Sequence, residues 1–153
     1  MRTVDRITMR APLERVFALA RDVERWPALL SHYRWVRVLE RRPDGARVEM
    51  AAWRPFGPAP LRYPTWWVSE MEVERARPVI RYRHVAGLTA GMDVRWELVD
   101  QGGSVAVEIV HEWAGPRWPL IGRLAADVVI GPVFVHGIAS RTLAGLRRHA
   151  EAA

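Results

Sequence analysis

Hydrophobic and polar positions alternate from the first residues of the chain. Thr3 to Met9 sets Val4, Ile7 and Met9 among polar partners, which predicts a strand. The period then lengthens. Val16, Phe17, Leu19 and Ala20 recur at helical spacing after Ala11-Pro12, and Pro12 suits a first helical turn, where its missing N–H costs nothing. Asp22 is placed to cap a second short helix that carries Trp26, Leu29 and Leu30. Alternation returns in Tyr33–Arg41 and Arg47–Arg54, split by the turn Pro43-Asp44-Gly45, and again in Tyr63–Arg75, Val79–Val85, Met92–Val99 and Val105–Trp113. Connections this short make the sheet mostly antiparallel. Pro119 to Ala150 reads as helix broken at Gly131-Pro132, with Val135, Ile138, Thr142 and Leu146 on one stripe and Arg141, Arg147 and Arg148 towards solvent or a cavity mouth. The expected fold is therefore α+β: one domain over residues 1–153, with two short helices after the first strand. Its curved antiparallel sheet of about seven strands wraps a long C-terminal helix. Such a grip leaves a cavity between sheet and helix unless large side chains fill it.

Strand parity sorts the side chains, because neighbours along a strand point to opposite faces. Val94, Trp96 and Leu98 oppose Asp93, Arg95 and Glu97; Ile80, Tyr82 and His84 oppose Arg81 and Arg83. Val105, Val107, Ile109, His111 and Trp113 oppose Glu108 and Glu112, and Thr65, Trp67, Ser69 and Met71 oppose Trp66, Val68, Glu70 and Glu72. The charged set predicts a solvated convex face. The inward set nominates Trp67, Met71, Tyr82, Met92, Trp96 and Trp113 as ligand contacts, with Trp26 beside them and Ile138 and Thr142 from the helix stripe. Tyr33, Ser69, His84 and His111 are inward polar groups able to bond a ligand or move a proton. Parity leaves Trp35, Trp53 and Arg54 unassigned. Outward Trp66, with Trp53, Trp118 and Phe134, marks either an apolar contact surface or groups beneath loops.

Composition narrows the chemistry. All 23 basic residues are arginine, so lysine Schiff-base chemistry is excluded, and without cysteine so are disulfides and thiolate sites. The net charge of +6 comes from arginines interleaved with Asp and Glu, which fits a solvated sheet better than a nucleic-acid groove. No apolar run spans a bilayer and Met1–Asp5 opens no secretory leader, so a cytoplasmic protein without stable membrane insertion is expected. His84 and His111 lie on separate strands with no carboxylate on their face, so neither a metal nor any other cofactor is expected. The same lack, with no nucleophile elbow around Ser69, argues against a Ser-His-acid triad. His32 and His136 show no legible partner, and His149 reads as solvated near the C-terminus.

Several motifs resemble the START-like helix-grip superfamily (START/Bet v 1-like), more narrowly its polyketide cyclase/dehydrase branch. They are Ala11-Pro-Leu-Glu-Arg-Val-Phe17, Asp22-x-x-x-Trp26-Pro-x-Leu29 with Ser31-x-Tyr33, Trp67-Val68-Ser69, Arg95-Trp96, and Arg141-Thr142-Leu143 of the closing helix. In the aromatase/cyclases of that branch the fold binds a tethered poly-β-keto chain and guides ring closure and dehydration. The resemblance implies Trp26, Tyr33, Trp67, Ser69 and Trp96 in the pocket, with His84 and His111 where such enzymes carry polar groups. It also implies an arginine two residues past the serine. This chain has Met71 there, and a neutral thioether cannot stabilise a developing enolate as a guanidinium can. The favoured expectation is a binding module for a hydrophobic, aromatic or polyketide-like molecule. A cyclase/dehydratase served by an acyl carrier protein is the alternative, and a lipid or quinone carrier the third. Monomer and homodimer both stay open.

Overall fold

The computed structural model describes residues 1–55, 62–116, 119–120 and 135–152. Strand β1 (Arg2–Met9) leads into α1 (Leu13–Arg21), a 3-10 turn (Val23–Arg25) and α2 (Trp26–Leu29). Six strands follow: β2 (Tyr33–Arg42), β3 (Gly45–Pro55), β4 (Arg62–Glu74), β5 (Val79–Gly87), β6 (Asp93–Asp100) and β7 (Val105–Glu112). Helix α3 (His136–Glu151) ends the chain. The strands form one seven-stranded sheet in the order β1-β7-β6-β5-β4-β3-β2, and every neighbouring pair is antiparallel. Each hairpin pairs with its successor, and only β1 crosses the molecule to cover the far edge. Irregular register in β2 (Tyr33/Trp35 and Val38/Glu40) and between β4 and β5 (Val68/Ser69) adds curvature where the wall bends round the helix.

The faces follow the alternation. Val94, Trp96 and Leu98 are buried while Asp93 and Arg95 are exposed, and Val105, Val107 and Ile109 are buried on the same concave side. Against that side pack Val16, Phe17 and Ala20 of α1, and Ala139, Thr142, Leu143 and Leu146 of α3. The convex side carries cross-strand ion pairs such as Arg6–Glu108 (2.6 Å), Arg83–Asp93 (2.7 Å) and Arg42–Glu70 (2.6 Å). Exposed pairs like these contribute little each. Trp35 and Trp53 belong to this outer side, interleaved with guanidinium groups: Arg34 lies 4.7 Å from one ring and 4.5 Å from the other, and Arg62 sits 4.2 Å from Trp53. The side chain of Arg54, and residues Trp118 and Phe134, lie outside the described set.

Helix ends depart from the expectation. Pro12 is the residue before α1, extended at φ −62° and ψ 146°, and Asp22 makes no side-chain cap. Its carboxylate instead lies 4.0 Å from Arg25 across the 3-10 turn. Pro43 and Asp44 form the turn between β2 and β3, and Gly45 closes it opposite Arg42 as the first residue of β3. Pro119 and Leu120 form a turn, with Leu120 at φ 70°, so no helix starts there. The expected break at Gly131-Pro132 lies outside the described residues.

Candidate functional site

A cavity of about 90 Å³ lies between the concave sheet and α3 and opens to solvent at one end. Parity places most of its wall. Met50 of β3, Trp67 of β4, Tyr82 and His84 of β5, Val94 and Trp96 of β6, and Ile109 and His111 of β7 all face it. Trp26 of α2 and Tyr33 of β2 close one flank, and Ile138, Ala139 and Thr142 of α3 form the lid side. Trp66 (42% exposed) and Leu88 (36% exposed) also line it, so the mouth is apolar. The deep part is smaller than the ~150 Å³ engineered cavity that admits benzene. A ligand of several rings must extend into the mouth or shift the lining side chains.

The rings form a continuous chain round this space. Trp96 and Trp26 stand 5.7 Å apart, Trp26 meets Tyr33 edge-on at 5.2 Å, and Tyr33 meets Trp67 at 6.3 Å. Trp67 stacks on His84 at 5.8 Å with an interplanar angle of 13°. Such contacts fix ring orientation as well as burying area, and they leave flat faces turned to the void. The Trp26 indole is further locked by donating to the Leu19 carbonyl (3.0 Å).

Burial sets the protonation states. It pushes the His84 imidazole down to about 4, against a small opposing pull from Asp93, and His111 down to about 3, with His84 adding to the effect. Both are neutral near pH 7. The Tyr33 and Tyr82 phenols are held above the usual tyrosine value by the same desolvation. Among the described residues that line the cavity there is no Asp, Glu or Arg. No group of three or more potential metal ligands occurs among the described residues either.

His32, for which the sequence showed no partner, is buried and lies 3.0 Å from Thr142 through Nε2. The Thr142 hydroxyl has one hydrogen and donates it to the Ile138 carbonyl (2.8 Å), so its oxygen receives the His32 Nε2–H. The same side chain bears on the Tyr33 phenol, opposing in part the rise that burial causes. Thr142 thus ties β2 to α3 at the cavity wall. Burial, reinforced by Arg141 and Arg148, pushes His32 down to about 4. Replacing Thr142 with Val keeps the volume and strands the buried His32 N–H. The expected cost is about 2 kcal/mol, read as a lowered urea midpoint with an unchanged m-value. His136 binds the buried Asp5 carboxylate under the start of α3, and burial raises the Asp5 pKa although His136 lowers it in part. Exposed His149 contacts the Leu29 carbonyl at 2.9 Å.

Of the residues the sequence nominated, Trp26, Tyr33, Trp67, Tyr82, His84, Met92, Trp96, His111, Ile138 and Thr142 come together around the cavity. Ser69, Met71 and Trp113 do not line it. Ser69 is fully buried on the inner face of β4, its Oγ without a partner among the described residues. Met71 is buried one inward position further along, paired with Tyr82 of the cavity wall, and borders a separate cleft with Val48 and Val73. Trp113 is buried past the end of β7 and donates to the Ala90 carbonyl (3.0 Å), pinning the β5–β6 loop. Sequence reasoning missed Met50, Leu88 and Thr89, and it set Trp66 outward although that ring lines the mouth. Thr89 Oγ1 lies 2.6 Å from His84 Nδ1, a contact made by a hairpin loop with no periodic signal.

An antiparallel wall gripping a terminal helix, with an uncharged aromatic cavity between them, is the START-like helix-grip fold. The chain belongs to the polyketide cyclase/dehydrase and lipid transport family, whose model matches residues 9–133. It is 34% identical over 96 residues to a Streptomyces halstedii protein named "Putative polyketide cyclase", a match covering 61% of this chain and 84% of that one. A Streptomyces cyaneus protein of the same name is 32% identical over 129 residues, covering 83% and 82%. Among solved structures, the aromatase/cyclase Zhui from Streptomyces sp. R1128 superposes with a TM-score of 0.72 at 18% identity, covering 97% of this chain and 95% of that one, a likeness of fold. No helix among the described residues is long and apolar enough to cross a membrane.

Proposed function

We propose that the protein binds an uncharged, flat, hydrophobic molecule of the aromatic polyketide kind in the cavity between sheet and α3. The observation that carries this is the absence of any charged side chain among the described residues of the cavity wall. An ionised ligand buried there would lose its hydration with no counter-ion to replace it, which costs several kcal/mol. A neutral aromatic ring meets indole faces instead. Native mass spectrometry of protein purified from its own host tests the reading. The expected result is a co-purified neutral aromatic compound. Retention of only anionic ligands, or equal calorimetric affinity for acids and their neutral analogues, would sink it.

A second reading is cyclisation and dehydration of a poly-β-keto chain delivered by an acyl carrier protein, favoured by the names of the relatives. In it Tyr33, His84 or His111 would shuttle protons. Imidazoles pushed down to about 4 and about 3 are weak bases near neutral pH. Met71, at the position where the family resemblance implies a guanidinium, is neutral and does not line the cavity, although it pairs with Tyr82 of the wall. The site is therefore better built to hold a ring system than to stabilise an enolate. Release of a cyclised product from a carrier-bound chain, at a rate above the spontaneous one, would reverse that preference.

A further inference from the structure

The polar atoms of the cavity fall into a satisfied set and an orphaned one. Thr142 bonds His32 and the Ile138 carbonyl, Thr65 Oγ1 donates to the Ala52 carbonyl (2.9 Å), and His84 meets Thr89. The Tyr82 hydroxyl and His111 Nδ1 are different: both are buried and have no hydrogen-bond partner among the described residues. Their placement is regular. Tyr82 pairs with Val94, and Val94 with His111, so the two stand at one level on β5 and β7 with Val94 between them. Two strand spacings put their Cα atoms roughly 10 Å apart. Trp96, the next inward residue on β6, rises beside this low floor.

Building on the reading of this cavity as a ligand site, we propose that Tyr82 and His111 form a two-point specificity element for neutral aromatic ligands. It would take a ketone-type acceptor oxygen at one edge of the ring and a hydroxyl at the other. The Tyr82 phenol stays protonated because burial raises its pKa, so it presents an unused donor to a carbonyl oxygen. The neutral His111 ring has one N–H and one bare nitrogen, and a ligand hydroxyl satisfies it in either tautomer. A bare hydrocarbon fits the walls yet leaves both orphans buried and unpaired, and sites built for a polar contact discriminate strongly against ligands that lack it. A carboxylate finds no cation.

Calorimetry with 4-hydroxyacetophenone, acetophenone, phenol and 4-hydroxybenzoate tests this on the unmodified protein and two variants. The hydroxy ketone is expected to bind at least tenfold more tightly than either single-function probe and than the benzoate at pH 7. Tyr82→Phe should weaken the two ketones about tenfold and leave phenol unchanged, with a melting temperature equal to or above that of the unmodified protein. His111→Leu should weaken phenol and the hydroxy ketone and spare acetophenone. If no probe binds the unmodified protein, the cavity reading falls and this one with it. If the probes bind but Tyr82→Phe and His111→Leu weaken all of them equally, or none, the cavity stands and the two-point assignment is wrong. The ranking of the four probes on the unmodified protein decides the matter even where a variant fails to fold.

Discussion

Acidification from pH 7 to pH 4.5 is expected to remove on the order of 5 kcal/mol of stability, a large part of what a domain of this size has. Three imidazoles are responsible. His32 and His84 are pushed down to about 4 and His111 to about 3, whereas each titrates near 6.5 in the unfolded chain. Between those values the unfolded state binds more protons, so stability falls as pH drops through 6.5 and keeps falling until the folded values are reached. Each histidine contributes about 2 kcal/mol over the interval. Asp5 works in the opposite direction, because its raised pKa makes the folded state easier to protonate than the unfolded one. Urea midpoints at pH 7, 5.5 and 4.5 give the slope. Close to three protons should be taken up on unfolding in the middle of the window, and one fewer in His111→Leu. An uptake below one proton would show that these rings are hydrated in the folded state and titrate much as they do in the unfolded chain.

Gly87→Ala should be nearly as damaging, for reasons of shape. Gly87 ends β5 at φ +99°, a left-handed conformation that side chains resist. A Cβ there would stand 2.3 Å from the Trp66 carbonyl oxygen and 2.8 Å from the Trp67 Cα. Both are backbone atoms of β4, so no side-chain rotation relieves the clash. The expected loss is about 4 kcal/mol, with a fall in melting temperature of roughly 10 °C. Because the same two tryptophans form the mouth and one wall of the cavity, ligand affinity should drop with stability. Gly102→Ala is the control: its φ is +77° but a Cβ meets nothing within 4 Å, so it should carry only the backbone strain. Equal losses in the two variants would show that the contact with β4 is unimportant.

Much of the fold was legible because one face of the sheet is solvated. In β6 the run Asp93 to Leu98 alternates charge and bulk without exception, and burial follows it residue by residue. Helix ends were less legible. Asp22 has the chemistry of a cap, yet the chain enters α2 through a 3-10 turn and the carboxylate turns towards Arg25. Parity also assigns a face and not a position along it. Met71 and Trp113 point inward as alternation requires, but other side chains face the void and neither of these two lines it. The partners of His32 and His136, Thr142 and Asp5, stand 110 and 131 residues away, so no local pattern carries them.

The distribution of indoles has an optical consequence. Trp26, Trp67 and Trp96 surround the void, whereas Trp35 and Trp53 lie among guanidinium groups on the convex side. A bound ring system would quench the blue-shifted emission of the first three and leave the second pair alight. The ratio of the two bands therefore reports occupancy from within the molecule, free of any attached dye.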